Sequence, residues 1–281
     1  MLVSMQGKTI LITGATSGIG LAMARELARK GAHVTLLGRN AAKLATVAEQ
    51  IRNQTSNQNL DTILADLSTQ AGVQLAAHEF KKRHTRLDVL INNAGAIYMS
   101  RHLSADGLEM TFALNHLSYF HLTNLLLDVL KASAPARVIN VASDAHRGQV
   151  IDFDNLQGEK SYNGMTIYGR SKLMNVLFTY ELARRLEGKG VTVNAMHPGF
   201  VATDFGKNNG TLMSLALKLI SPIAKTAEEG ALTGIYLACS MEVEGVSAKY
   251  FVEKQAVDSD PVSYNQAIAE RLWNTSLEMI A

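Results

Sequence analysis

One cysteine, Cys239, in 281 residues excludes an intramolecular disulfide and suits a reducing compartment, so a cytoplasmic protein is expected. Four prolines and no Ser/Gly/Pro-rich linker leave no natural break, which points to one domain over residues 1–281. Neither sign of charge dominates. The net charge is +2 with acids and bases interspersed, and no basic stripe offers a nucleic-acid footprint. The one basic cluster, Lys81-Lys82-Arg83-His84, ends a predicted helix, where cations complement the helix dipole and face water. Long apolar runs are lacking too. Residues 1–8 suit neither a signal peptide nor a membrane span, and no other segment suits a span. What the chain does have is 47% apolar residues, ample for one large packed core.

Apolar, β-rich runs alternate with stretches of helical period. The strands predicted are Thr9–Ile12, His33–Leu37, Leu60–Leu64, Leu87–Ile91, Arg137–Val141, Val191–Ala195 and, as the last, Lys249–Glu253. Between them, helices are predicted over Leu21–Lys30, Ala41–Arg52, Gln70–His84, Gly107–Leu130 as one long helix, Tyr168–Leu186 and Lys225–Cys239. Strands separated by helix-length segments imply right-handed crossovers and a doubly wound parallel sheet of the Rossmann-like α/β class. In such sheets ligands sit beyond the carboxyl ends of the strands, where the strand order reverses.

Most chemistry-bearing residues fall at those ends. Thr13-Gly-Ala-Thr-Ser-Gly-Ile-Gly20 joins the first strand to the first helix. Glycines at 14, 18 and 20 allow close approach of a pyrophosphate to free amide groups and the positive end of a helix dipole. The spacing is Gly-x-x-x-Gly-x-Gly, not the Gly-x-Gly-x-x-Gly dinucleotide fingerprint, so a glycine-lined packing turn is the competing reading. After the second strand an NAD site would offer an acid to the ribose, but here Gly38 is followed by Arg39 and Asn40. A guanidinium suits a 2′-phosphate, which selects NADP(H) over NAD(H). Asp66 ends the third strand and can accept from an adenine amino group or cap the next helix. Asn92, Asn93 and Gly95 suit the holding of a neighbouring backbone or a ribose, and Ser143 ends the fifth strand.

Tyr168-Gly-Arg-Ser-Lys172 opens a helix, so Tyr168 and Lys172 lie one turn apart on the same face. An ammonium beside a phenol favours the phenolate and makes it a better general acid/base near neutral pH. A ring packed under a lysine stem is the bland alternative. His116, His121 and His146 lack the spacing of a zinc-binding helix motif, so no metal site is read.

Thr13–Gly20, Asn92-Asn-Ala-Gly95, Asn115, Ser143, Tyr168-Gly-Arg-Ser-Lys172 and His197-Pro-Gly199 together closely resemble the short-chain dehydrogenase/reductase family, in its order and over nearly the whole chain. The resemblance implies a catalytic tetrad of Asn115, Ser143, Tyr168 and Lys172. Tyr168 would exchange the substrate proton, and Ser143 would hold the carbonyl oxygen. Lys172 would bind the nicotinamide ribose and lower the tyrosine pKa, and Asn115 would hold a relay water. It also implies an NADP(H) site formed by Gly14, Thr16, Ser17, Gly18, Ile19, Gly20, Arg39, Asn40, Asp66, Leu67, Asn93, Ala94, Gly95, Tyr168, Lys172, Pro198, Gly199, Val201 and Thr203. The implied reaction is hydride transfer between an apolar aldehyde or ketone and its alcohol.

The long stretch 144–164 between Ser143 and Tyr168 resembles the retinol dehydrogenase branch, with its retinal reductases and WW-domain oxidoreductases, and more distantly the protochlorophyllide reductases. Animal retinal reductases carry an N-terminal membrane anchor, and no such run is present here. A substrate lid is expected over 204–225. Its apolar part, 211–223, suits a lid, a core helix, a subunit interface or peripheral membrane contact. The family's dimers and tetramers make a homo-oligomer an expectation. The rival reading is a catalytically silent dinucleotide-binding regulator or scaffold, whose usual mark, a broken tetrad, is absent.

Overall fold

A computed structural model of the chain describes residues 3–201, 209 and 224–281. Eight strands form one sheet: β1 (Thr9–Thr13), β2 (His33–Gly38), β3 (Leu60–Leu64), β4 (Val89–Asn92), β5 (Ala136–Val141), β6 (Val191–His197), β7 (Lys249–Val252) and β8 (Gln255–Val257). Their spatial order is β3-β2-β1-β4-β5-β6-β7-β8. The first seven are parallel and β8 is antiparallel to β7. The order reverses between β1 and β4, which places the crevice between the end of β1 and the end of β4.

The apolar runs are continuous because both faces of the sheet are buried. Ile10 and Ile12 of β1 pack into one core layer, and Leu11 between them packs into the other. Helices α1 (Gly18–Arg29) and α2 (Ala41–Thr55) cover the first face, together with α8 (Ala227–Cys239). The opposite face is covered by α3 (Gln70–Arg83), α5 (Ser118–Leu125) and α7 (Gly164–Arg185). A third cluster joins Ile151 and Leu156, from the stretch before α7, to Phe112, Leu173 and Leu272. Among the described residues no helix is long and apolar enough to cross a membrane.

Three expectations need correction. The sheet does not end at β7. Glu253 and Lys254 turn the chain into β8 with φ of 49° and 68°, and non-glycine residues there leave no Asn-Gly-like signal. A C-terminal helix, α9 (Gln266–Ile280), follows and packs on α7 and the third cluster. The single helix expected over Gly107–Leu130 is instead α4 (Met110–Phe112), a π-helical turn over Ala113–Leu117, α5, and α6 (Leu127–Ala132). Gly107 has φ +76° and stands outside any helix, and Glu109 caps α4 by accepting from the Phe112 amide at 2.7 Å. Thr203 and the stretch 211–223 lie outside the described residues.

Candidate active site

The glycine loop is held from below by the end of β4. The Thr13 hydroxyl accepts from the Asn93 and Ala94 amides at 2.8 and 2.9 Å. The Asn93 side chain donates to the Thr13 carbonyl at 2.8 Å and the Gly14 carbonyl at 3.3 Å. Gly14 needs its φ of +64°, and a Cβ on it would stand 2.9 Å from Ala94 Cα. Asn93 thus holds a neighbouring backbone, while Asn92 is buried and donates to Thr123 at 3.0 Å and Asn140 at 2.9 Å, tying β4 to β5.

Above the loop, Ser17 is exposed at the N-cap of α1 and accepts no capping bond, so the first amides of the helix lack a side-chain partner. An anion is the natural ligand for such a terminus framed by glycines. Thr16 leans against Gly38, where a Cβ would meet Thr16 Cγ2 at 2.9 Å. A side chain at position 38 would crowd the Thr16 methyl group. Arg39 is exposed beside it and has no hydrogen-bond or ion-pair partner among the described residues. The neighbouring Asn40 is occupied, since its side chain caps α2 by accepting from the Lys43 amide at 2.9 Å.

Asp66 is exposed and bonds Ser68, by its amide at 3.0 Å and its hydroxyl at 2.8 Å. The cap of α3 is Thr69, not Asp66. Leu67 is buried in the core, so only its main chain remains for a ligand. Ile19 and Val201 both close on Gly230 of α8, and a Cβ there would stand 3.3 Å from Ile19 Cγ1 and 2.6 Å from Val201 Cγ2. Gly199, at φ +87°, follows Pro198 as β6 leaves the sheet.

The four polar residues of the expected tetrad converge across this crevice. Ser143 accepts from the Ala145 amide at 3.2 Å and lies near enough to the Tyr168 phenol to favour its ionised form. Lys172 is buried, donates to the Val141 carbonyl at 3.0 Å, and keeps Nζ 5.7 Å from the Tyr168 ring centre. A Cβ on Gly95 would stand 3.1 Å from Asn115 Oδ1 and 3.7 Å from Lys172 Nζ, so this glycine lies between them. Asn115 sits in the π-helical turn and spends its amide on protein: it accepts from Ala96 N at 2.8 Å and donates to Ala96 O at 2.9 Å and Ser171 Oγ at 3.0 Å.

The electrostatics run against one expectation. Burial pushes the Tyr168 phenol up to about 12, with neighbouring Ser143 pulling the other way, and the Lys172 cation does not bring it below its ordinary value. Burial likewise pushes Lys172 down to about 7. Desolvation wins because the amine points at Val141 and not at the phenol oxygen. Lys172 therefore binds fewer protons folded than unfolded between about pH 7 and its ordinary value of 10.5, and stability should rise with pH across that window. Lys172→Met should melt several degrees above the parent at pH 6, and that advantage should shrink by about half at pH 9, partway through the window. Thermal melts at both pH values test this, and a constant difference would contradict it.

Some supporting residues have no site role in the sequence reading. His146 is buried, with Nδ1 2.7 Å from the Ser143 carbonyl and Nε2 accepting from the Asp260 amide at 3.0 Å. The second bond fixes the neutral tautomer that donates to Ser143. Asn209 clamps the main chain after β4, accepting from Met99 N at 2.7 Å and donating to Ile97 O at 2.8 Å. The only sequence clue to His146 is its place three residues after Ser143, and Asn209 carries none.

A profile of the family described as short chain dehydrogenase matches residues 8–212. The chain belongs to the short-chain dehydrogenase/reductase family. Within it, this short-chain dehydrogenase falls in the retinol-dehydrogenase-like branch. It is 44% identical over 278 residues to retinol dehydrogenase 12 of Homo sapiens, covering 99% of this chain and 88% of that one. It is 43% identical over 290 residues to retinol dehydrogenase 14 of Mus musculus, covering 98% and 86%. Among solved structures, the Pseudomonas aeruginosa RhlG/NADP active-site complex superposes with a TM-score of 0.70 at 29% identity, covering 88% of this chain and 95% of that one.

Proposed function

We propose that this short-chain dehydrogenase interconverts an apolar aldehyde or ketone and its alcohol with NADP(H), Tyr168 acting as the general acid/base. The observation that carries the reading is Ser143 set against the Tyr168 phenol, with Lys172 one turn on, beside the glycine loop at the β1/β4 reversal. The glycine cradle, the start of α1 with no side-chain cap and the exposed Arg39 fit a phosphorylated dinucleotide. Bound NADPH supplies the hydride. Ser143 and Tyr168 present two hydroxyls to one substrate oxygen, which stabilises charge developing there, and Tyr168 delivers the proton. Lys172 and Asn115 flank Gly95 on the side where the ribose would lie, and Val201 follows the Pro198-Gly199 turn.

An apolar substrate is supported by exposed Met99, Met165 and Phe200, which belong to the segments beside the start of α7 and the Gly199 turn. The relatives' name makes retinoids the first class to try. Absorbance-monitored NADPH oxidation against retinal, medium-chain aldehydes, steroids and quinones tests the reading, and no turnover with any of them would favour a silent scaffold. A cytoplasmic location, self-association and peripheral membrane contact through 211–223 belong to the same proposal. They rest on the single buried Cys239 and on the apolar character of that stretch.

Arg39→Ala should weaken NADPH binding about tenfold to a hundredfold while leaving NADH binding nearly unchanged, because only the 2′-phosphate loses a charged partner. Equal losses for both cofactors would remove the basis for the NADP(H) assignment.

A further inference from the structure

At the end of the sheet opposite the glycine loop, three side chains from distant parts of the chain meet. His33 opens β2, Asp61 is the second residue of β3, and His84 is the C-cap of α3. Asp61 pairs in register with Thr35, and His33 lies two residues before Thr35, so strand alternation puts His33 and Asp61 on the same face. That is the face covered by α3, whose C-terminus delivers His84.

A single carboxylate oxygen, Asp61 Oδ2, lies 2.7 Å from His33 Nε2 and 3.1 Å from His84 Nε2. The two imidazoles meet edge to face, with ring centres 4.8 Å apart. Among the described residues this is the grouping of His, Cys, Asp and Glu whose donor atoms all fall within 4.8 Å of one another. We propose that His33, Asp61 and His84 bind a divalent transition metal of the zinc class, at a site separate from the active site.

Two imidazole nitrogens and one carboxylate oxygen are the donor set zinc takes in three-ligand sites, with water in the fourth position. The His33 and Asp61 side chains are each 35% exposed and His84 is 8% exposed, so the cluster has a buried floor and a side open to water. Donors around tetrahedral zinc stand about 3.3 Å apart at metal–ligand distances of about 2.0–2.1 Å. Side-chain adjustments within about 1.5 Å bring this cluster to that spacing, and the two half-exposed side chains can make them. Arg83, next to His84, is turned away: it pairs with Glu79 at 2.6 Å and donates to the Thr62 carbonyl at 2.9 Å. The Thr35 hydroxyl, 3.3 Å from His84 Nε2, is a neutral group that competes for that nitrogen. A metal here would tie β2, edge strand β3 and the end of α3 together. It would act on stability and not on hydride transfer.

The test uses the untagged full chain, stripped with chelator and equilibrated with Zn2+. Metal analysis after dialysis should find one zinc per chain, and Co2+ in its place should give the intense visible bands of tetrahedral coordination. At about a hundredfold excess over the dissociation constant, Zn2+ should raise the Tm by about 5 °C. His33→Gln and Asp61→Asn change half-exposed side chains and should each weaken zinc binding about tenfold or more, with the metal-free Tm close to the parent's. No zinc retained by the parent chain overturns the site. Equal retention by the parent and both variants does so too, since the metal would then sit elsewhere.

Discussion

Tyr168→Phe should lower kcat by about 10²–10⁴-fold while NADPH affinity stays within about twofold of the parent. The substitution removes the phenol oxygen beside Ser143 and leaves the ring in place. Ser143 keeps its bond from the Ala145 amide, and His146 still holds the Ser143 carbonyl, so the second hydroxyl remains aimed into the crevice. The residual rate would measure what Ser143 and alignment alone provide. Steady-state kinetics with the best substrate of the panel, alongside fluorescence titration of NADPH, separate the two quantities. Turnover within tenfold of the parent would remove Tyr168 from the proton step, and a collapse of NADPH affinity would mean the substitution had disturbed the crevice instead.

Gly20→Ala should damage the site from the other side. A Cβ at this position falls inside contact distance of the Gly14 carbonyl oxygen and 2.5 Å from Asn93 Nδ2. Neither neighbour can yield cheaply. Gly14 is main chain held at positive φ, and Asn93 is pinned by its bond to the Thr13 carbonyl. Forcing a methyl group into this space costs about 1–3 kcal/mol. For a chain of this size the Tm should fall by roughly 3–10 °C. Because the strain is relieved by moving the glycine loop, NADPH binding should weaken by at least about tenfold in the fraction that stays folded. Thermal melts with and without NADPH check both effects, and an unchanged Tm would show that the loop has room the structure does not indicate. Gly20 serves close packing of the helix start on the loop and Asn93, whereas Gly14 and Gly18, at φ +64° and +54°, are the ones whose backbone conformation shapes the cradle.

Local pattern alone determined the alternating α/β class, seven strands and five of the six predicted helices to within a few residues, and the place of the glycine loop after the first strand, while the tetrad was an implication of the family resemblance. These features are encoded at short range. Apolar runs report burial on both faces, and the four-residue step from Tyr168 to Lys172 sets them on one helical face before any packing is known. The same short range explains the misses. Glu253 and Lys254 make a hairpin without turn residues, and the break in the helix carrying Asn115 is a π turn set by packing.

Tertiary structure alone decided how the site is held and how its charges behave. Asn115 is committed to Ala96, His146 reaches across to Asp260, and Asn209 closes on Ile97 and Met99, contacts no spacing rule connects. From sequence, the lysine is expected to make the phenol more acidic. In the folded chain burial raises the phenol and lowers the amine, because the cost of removing a charge from water depends on everything packed around it. The meeting of His33, Asp61 and His84 is decided in the same way, by strand register and the path of one helix.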